Sequence, residues 1–238
     1  MTSWRALLAG RIDEAAALSD QAFAIGAAAD FGPAPPSYGA QLLMQSVHRG
    51  HADAFIETVE QAVVATPTLE ESFRVALMWL YCEAGRLDDA LELFRRDSAN
   101  GFTLPHGQVW LQSMALASEC AFVLQQREVA SNLYTRIGPF TDQFEFNGSS
   151  DCGAIARYAG HLARMLDRPD ESERHYRNAL AIHERMEAPY WIARTQLDLA
   201  DLVATSDGAQ ARALVADARS RAATHGYDAL TARADLLS

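Results

Sequence analysis

One short pattern recurs about every forty residues along the 238-residue chain: a tight turn, then acidic residues, then an alanine-rich stretch. It reads Gly10-Arg11-Ile12-Asp13-Glu14-Ala15, then Gly50-His51-Ala52-Asp53-Ala54-Phe55, then Gly85-Arg86-Leu87-Asp88-Asp89-Ala90. Weaker copies are Gln126-Arg127-Glu128-Val129-Ala130, Asp167-Arg168-Pro169-Asp170-Glu171-Ser172 and Asp207-Gly208-Ala209-Gln210-Ala211. A repeat of this length constrains the fold strongly. A unit of one helix pair cannot bury its apolar face alone, so neighbouring units must cover it.

The chemistry of the turn predicts what flanks it. Glycine takes the left-handed conformation that closes a helix C-terminus, and Asp and Glu favour the positive first turn of the next helix. Pro169 fits a first turn, where no amide partner is needed. Upstream of Asp167, the residues Ile155, Ala159, Leu162, Ala163 and Leu166 keep helical spacing; downstream, Ser172, Tyr176, Ala179 and Ile182 do the same. The expected fold is therefore all-α, with no sheet. It is a right-handed α-α superhelix of about six hairpins, near 1–30, 37–66, 69–99, 107–138, 151–187 and 189–226, closed by a capping helix over 227–237. The whole is read as one repeat domain. The short stretch ahead of Gly10 suggests either a fragment of a longer protein or a shortened capping repeat. Interruptions fall at 31–36, 100–107 and 138–153. Within the last, the brief alternation from Phe140 to Phe146 reads as loop.

Composition removes several function classes. All 20 basic residues are arginine, and lysine is absent. P-loop and kinase chemistry need a lysine on the nucleotide phosphates, and Schiff-base chemistry needs a lysine amine. A net charge of −11 argues against direct nucleic-acid binding, since phosphate neutralisation supplies most of that affinity. No apolar run reaches the ~18 residues of a membrane span, and the N-terminus lacks signal-peptide character. Cys82, Cys120 and Cys152 are odd in number and widely spaced, which fits free thiols in a reducing cytoplasm. Alanine, 44 of the residues, suits both a GC-rich bacterial genome and close helix contacts.

The hairpins resemble tetratricopeptide repeats, which place small residues where helices cross and aromatics between them. Gly160, then Ser172, Tyr176 and Ala179, follow that order; Ala90 and Phe94 repeat part of it, and Ala200 precedes the turn at Asp207. A closer resemblance spans about residues 130 to 237. It runs through Leu133-Tyr134, Gly138-Pro139-Phe140, Gly148 and Cys152-Gly153 to Arg157-Tyr158-Ala159-Gly160-His161-Leu162-Ala163. It continues through Glu173-Arg174-His175-Tyr176, Ala179-Leu180 and Arg185-Met186-Glu187-Ala188-Pro189 to Ala193-Arg194-Thr195-Gln196-Leu197-Asp198-Leu199-Ala200. This is similar to the C-terminal helical region of bacterial signalling ATPases, the LuxR-type, MalT-like regulators and ATPase-fused cyclases. There the helical array follows a catalytic or NTPase module and a helix-turn-helix often follows it. This chain carries neither module, so the resemblance implies the sensor or scaffold part alone. Residues 1–130 match only as generic repeats.

Candidate binding residues follow from the repeat register, because first helices line the concave face in such arrays. They are Met44, His48, Trp79, Glu83, Cys120, Arg157, His161, Arg164, Arg194 and Asp201. Arg157, His161 and Arg164 share a helix face, and with Arg194 they form a cluster suited to a carboxylate or phosphate. Trp79, Trp110 and Trp191 are core or groove anchors. No histidine, cysteine or carboxylate set has metal-ligand spacing, and no cofactor is expected. The expected function is a non-catalytic, cytoplasmic interaction or sensor domain of a bacterial signalling or transcriptional regulator. Its partner is a protein segment, a small effector or a second copy of itself. The alternatives are a stand-alone adaptor and, less favoured, a thiol enzyme using Cys152 with His161.

Overall fold

The recurring turn is a Schellman-type helix stop in four of the six places where the sequence puts it. In the computed structural model, which describes residues 2–65, 70–102 and 107–238, the left-handed residues include Gly10, Gly50, Gly85, Gln125 and Asp167. At Gly10 the bonds are Gly10 N–H to Leu7 O (2.9 Å) and Arg11 N–H to Ala6 O (2.9 Å). The same pair recurs at Gly85/Arg86, Gln125/Gln126 and Asp167/Arg168, and once more at Glu187/Ala188. Gln125, Asp167 and Glu187 thus do without glycine what Gly10 and Gly85 do with it, against the steric cost of a Cβ in that region. Gly50 also ends its helix left-handed, its N–H shared between Ser46 O and Val47 O. The turn at Asp207 is built differently. Asp207 is extended, and its carboxylate accepts Gln210 N–H as an N-cap.

Thirteen α-helices result among the described residues: α1 Ser3–Leu8, α2 Ile12–Ala28, α3 Ala34–Arg49, α4 Ile56–Ala65, α5 Glu70–Glu83, α6 Leu87–Ser98, α7 Trp110–Val123, α8 Ala130–Ile137, α9 Ile155–Met165, α10 Pro169–Arg185, α11 Pro189–Val203, α12 Gly208–His225 and α13 Asp228–Leu236. The expected prolines and acids open them: Asp13 and Glu14 in α2, Asp88 and Asp89 in α6, Asp170 and Glu171 in α10. The interruption at 31–36 is shorter than expected, because Pro35 and Pro36 lie in the first turn of α3, where their missing N–H groups cost nothing. The interruption at 100–107 lies partly outside the described residues.

The expectation of no sheet is corrected at one place. Strands β1 (Phe144–Phe146) and β2 (Asp151–Ala154) pair as a two-stranded ribbon. The Phe-Glu-Phe alternation is a genuine period of two, and Gly148 and Gly153, both at positive φ, allow the turn and the strand end. Residues 138–153 are therefore a short 3₁₀ turn (Gly138–Phe140) and a ribbon. Cys152, the thiol of the enzyme alternative, lies in strand β2.

Contacts cluster into two units. Unit 1 joins both ends of the chain: residues 1–50, 148–151 and 180–238. There α2 packs on α1 and α3, α12 on α11 and α13, and α13 reaches back to α3. Gly50 is held so close to α13 that a Cβ on it would stand 2.9 Å from the Ala229 nitrogen. Unit 2 comprises 51–147 and 152–179. There α5 packs on α4, α6 and α7, and α9 packs on α7 and α8, around Met78, Leu80, Met114, Leu133, Ile137 and Ile155. The unit boundary after Gly50 falls inside the hairpin expected over 37–66: α3 pairs with α2, and α4 with α5.

Candidate functional site

The arginine cluster expected to face a partner is instead the polar core of unit 2. Arg157 and His161, one turn apart on α9, are 1% and 0% exposed. Arg157 donates from both terminal nitrogens to Glu119 on α7, at 2.6 and 3.0 Å. His161 Nε2 lies 3.3 Å from the same carboxylate, and its Nδ1 hydrogen-bonds the Tyr176 hydroxyl at 2.7 Å. Phe122 stacks on the imidazole at 4.2 Å. The acid that the sequence leaves to an outside partner is thus supplied internally. The reason is energetic: a buried guanidinium without a carboxylate would cost several kcal/mol, on the order of 3–5. Arg164 remains half-buried, its guanidinium over the Phe122 ring.

The same elements explain the small residues of this hairpin. A Cβ on Gly160 would stand 2.6 Å from the Tyr176 ring, and Ser172 Oγ donates to Gly160 O at 2.8 Å. Glycine lets α10 approach α9 closely enough for Tyr176 to reach His161. Tyr158 closes the other end, donating to Cys152 O at 2.7 Å. The Cys152 thiol is buried too, and His161 bonds Tyr176 through Nδ1 and faces Glu119 with Nε2.

Met44, His48, Arg194 and Asp201 belong to unit 1, whereas Arg157, His161 and Arg164 belong to unit 2, so Arg194 sits among other partners. His48, in the last turn of α3, is 2% exposed. Its ring stacks on Tyr190 of α11 at 3.7 Å, with Trp191 and Tyr227 edge-on at 6.3 and 5.9 Å. Neither imidazole nitrogen has a hydrogen-bond partner, and neither does the buried Tyr227 hydroxyl. Burial, with the Arg194 charge adding to it, pushes the His48 pKa from 6.5 down to about 3. Arg194 donates to the Tyr190 hydroxyl at 2.9 Å. Met44 is buried and Asp201 half-buried.

The tryptophans are core residues. Trp79, Trp110 and Trp191 are all buried. Trp191 Nε1 donates to one oxygen of Asp151 and Trp4 Nε1 to the other, both at 2.6 Å, so one carboxylate ties α1 to α11. Neither Asp151 nor Glu119 stands out in the sequence, since a carboxylate's partner 38 or more residues away leaves no local signal. Glu83 is half-buried and Cys120 fully buried, and burial holds the Cys120 thiol well above its usual pKa. Among the described residues no group of three or more His, Cys, Asp or Glu side chains is placed to hold a metal ion. Among those residues, too, no helix is long and apolar enough to cross a membrane.

One surface that presents apolar side chains is missed by the repeat register. The second half of α2, with the residue after it, reads Gln21-Ala22-Phe23-Ala24-Ile25-Gly26-Ala27-Ala28-Ala29, with no charge. Ile25 is 72% exposed and Phe31, beyond the helix, 60%. A helix apolar on all sides is normally covered. Asp20 and Asp30 bracket the stretch; Asp20 accepts the Tyr38 hydroxyl, and Tyr38 stacks on Phe23 at 4.5 Å. The absence of charge over nine residues was the available signal. No family model, curated protein or solved structure matches the chain.

Proposed function

We propose that this chain is a non-catalytic interaction domain built from tetratricopeptide-like helical hairpins, an α-α superhelical array serving a bacterial signalling or transcriptional regulator. The observation that carries this reading is the α9–α10 crossing, where Gly160, Ser172 and Tyr176 meet in the small–small–aromatic manner of such hairpins. The packing of α5 on α7 and of α7 on α9, first helix on first helix, supports the same stacking within unit 2. In unit 1 the helices of both chain ends pack together, an addition to nearest-neighbour stacking.

The partner is a protein segment, and its docking surface is the uncharged half of α2 and not the buried arginines of α9. A peptide-display selection tests this, with wild-type chain as target and the Ile25→Glu/Phe31→Glu variant as counter-target. Peptides that bind the first and not the second are expected. Peptides that bind both equally, or none at all, overturn the reading. The hairpin assignment has its own test: Gly160→Ala should cost roughly 1–3 kcal/mol by overpacking, measured by urea denaturation. A neutral result would remove the crossing as its basis.

A further inference from the structure

Asparagine precedes glycine twice in the chain, at Asn100-Gly101 and at Asn147-Gly148. Glycine has no Cβ to shield its amide nitrogen from the asparagine side chain before it. Once that nitrogen loses its proton, it can attack the asparagine Cγ and close a five-membered imide. In a folded chain the outcome depends on what the glycine N–H is holding. At the first pair the glycine is left-handed and closes α6. Gly101 N–H donates to Ser98 O at 2.8 Å and Phe102 N–H to Asp97 O at 3.1 Å. Arg136 of α8 also holds the carbonyls of Gly101 and Phe102, both at 2.9 Å. The nitrogen that would attack is thus engaged inside a helix cap. The second pair stands in the turn between β1 and β2, where Asn-Gly suits the tight bend. Gly148 is exposed, with a φ of +101°, and its N–H donates to none of the described residues. Asn147 is held in place from α7 and the residues before it: its Nδ2 donates to Gln112 Oε1 at 2.7 Å, and its carbonyl accepts from Gln108 Nε2.

We propose that Asn147 is a self-modification site, which deamidates through an imide with Gly148 while the helix cap protects Asn100. Water or hydroxide takes the Gly148 amide proton, and the nitrogen attacks Asn147 Cγ. The Cγ–Nδ2 bond breaks, and Nδ2 leaves as ammonia with a proton returned from solvent in place of the one Gly148 gave up. One water then opens the imide at either carbonyl, leaving an aspartyl or an isoaspartyl residue at position 147. In sum, one water is consumed, one ammonia is released and nothing is oxidised or reduced. The first step removes a proton, so conversion quickens as pH rises.

The product differs from the starting turn in three ways. It carries a new negative charge on a chain already at −11. Its side chain has no N–H to give Gln112, so that amide must turn to offer its own. The isoaspartyl form also lengthens the main chain between β1 and β2 by one methylene and frees an α-carboxylate. The reaction class that consumes such a carboxylate is methyl transfer to the isoaspartyl oxygen.

The test incubates the whole chain at pH 8, once folded and once in concentrated urea, and follows both pairs by tryptic mapping. With no lysine present, trypsin cuts at arginine alone, so Asn147 falls in the peptide 137–157 and Asn100 in 97–127. In the folded chain, peptide 137–157 should shift by the mass difference between an amide and an acid. It should also accept a methyl group from S-adenosylmethionine in the presence of protein-isoaspartate methyltransferase. Peptide 97–127 should stay unchanged. In urea the cap is gone, and both peptides should convert at similar rates. Asn147→Gln should abolish the conversion of 137–157, and the wild-type map decides the matter even if that variant fails to fold. No conversion of Asn147 in the folded chain, equal conversion of both pairs there, or a preference for Asn147 that persists unchanged in urea overturns the proposal.

Discussion

Each of the two units buries a histidine in its polar interior, and the two are kept by opposite means. In unit 2, His161 lies between a carboxylate and a tyrosine hydroxyl, with an arginine completing the charge balance. In unit 1, His48 has three aromatic rings around it and no hydrogen bond. The first site surrounds its imidazole with a carboxylate, a hydroxyl and an arginine, and depends on every member being present. The second keeps its imidazole uncharged, by burial and by the nearby Arg194 charge, and holds it as a flat ring among aromatic ones. A paired network and an unpaired ring should therefore respond differently to the same perturbations.

The largest expected effect is on the network. Arg157→Met leaves Glu119 buried without its guanidinium and should cost about 3–5 kcal/mol, seen as a lower urea midpoint. Adding Glu119→Leu should recover most of that loss. If the double variant is no better than the single one, the buried charge is not the cause.

Acid separates the two histidines next. An unfolded His48 takes a proton below pH 6.5, while the folded one resists until about pH 3. The unfolded state thus binds more protons in this window. The His48 contribution is complete above pH 6.5 and is lost as pH falls toward 3. At pH 5 the loss is about 2 kcal/mol. Comparing wild type with His48→Phe between pH 7 and pH 5 isolates it from the carboxylates. Equal pH slopes in the two proteins would mean that His48 takes a proton while folded.

The smallest contrast uses a single hydroxyl. Tyr176→Phe removes a partner of His161 and should cost about 1 kcal/mol. Tyr227→Phe removes a hydroxyl that has no partner, and should be neutral or slightly stabilising. Equal losses at both positions would erase the distinction between the units.

Much of the local structure was legible. The stops at Gly10, Gly50, Gly85 and Asp167 were readable because a helix end leaves a chemical mark within a few residues: a left-handed residue, then acids or proline. The ribbon at β1 and β2 was passed over because its alternation is only three residues long. The site was read less well. The helical register rightly placed Arg157 and His161 on one face of α9, yet it could not say whether that face looks outward.

The sequence by itself determined the helices, their stops and the hairpin crossing at Gly160, since these depend on neighbours three to sixteen residues away. Only the tertiary structure decided that Glu119 meets Arg157 and that Asp151 joins Trp4 to Trp191. Those partners lie 38 residues apart or more. Their pairing is set by which helix faces are driven together to exclude water, and hydrophobic burial is non-directional. No local pattern records which polar groups it will bring along.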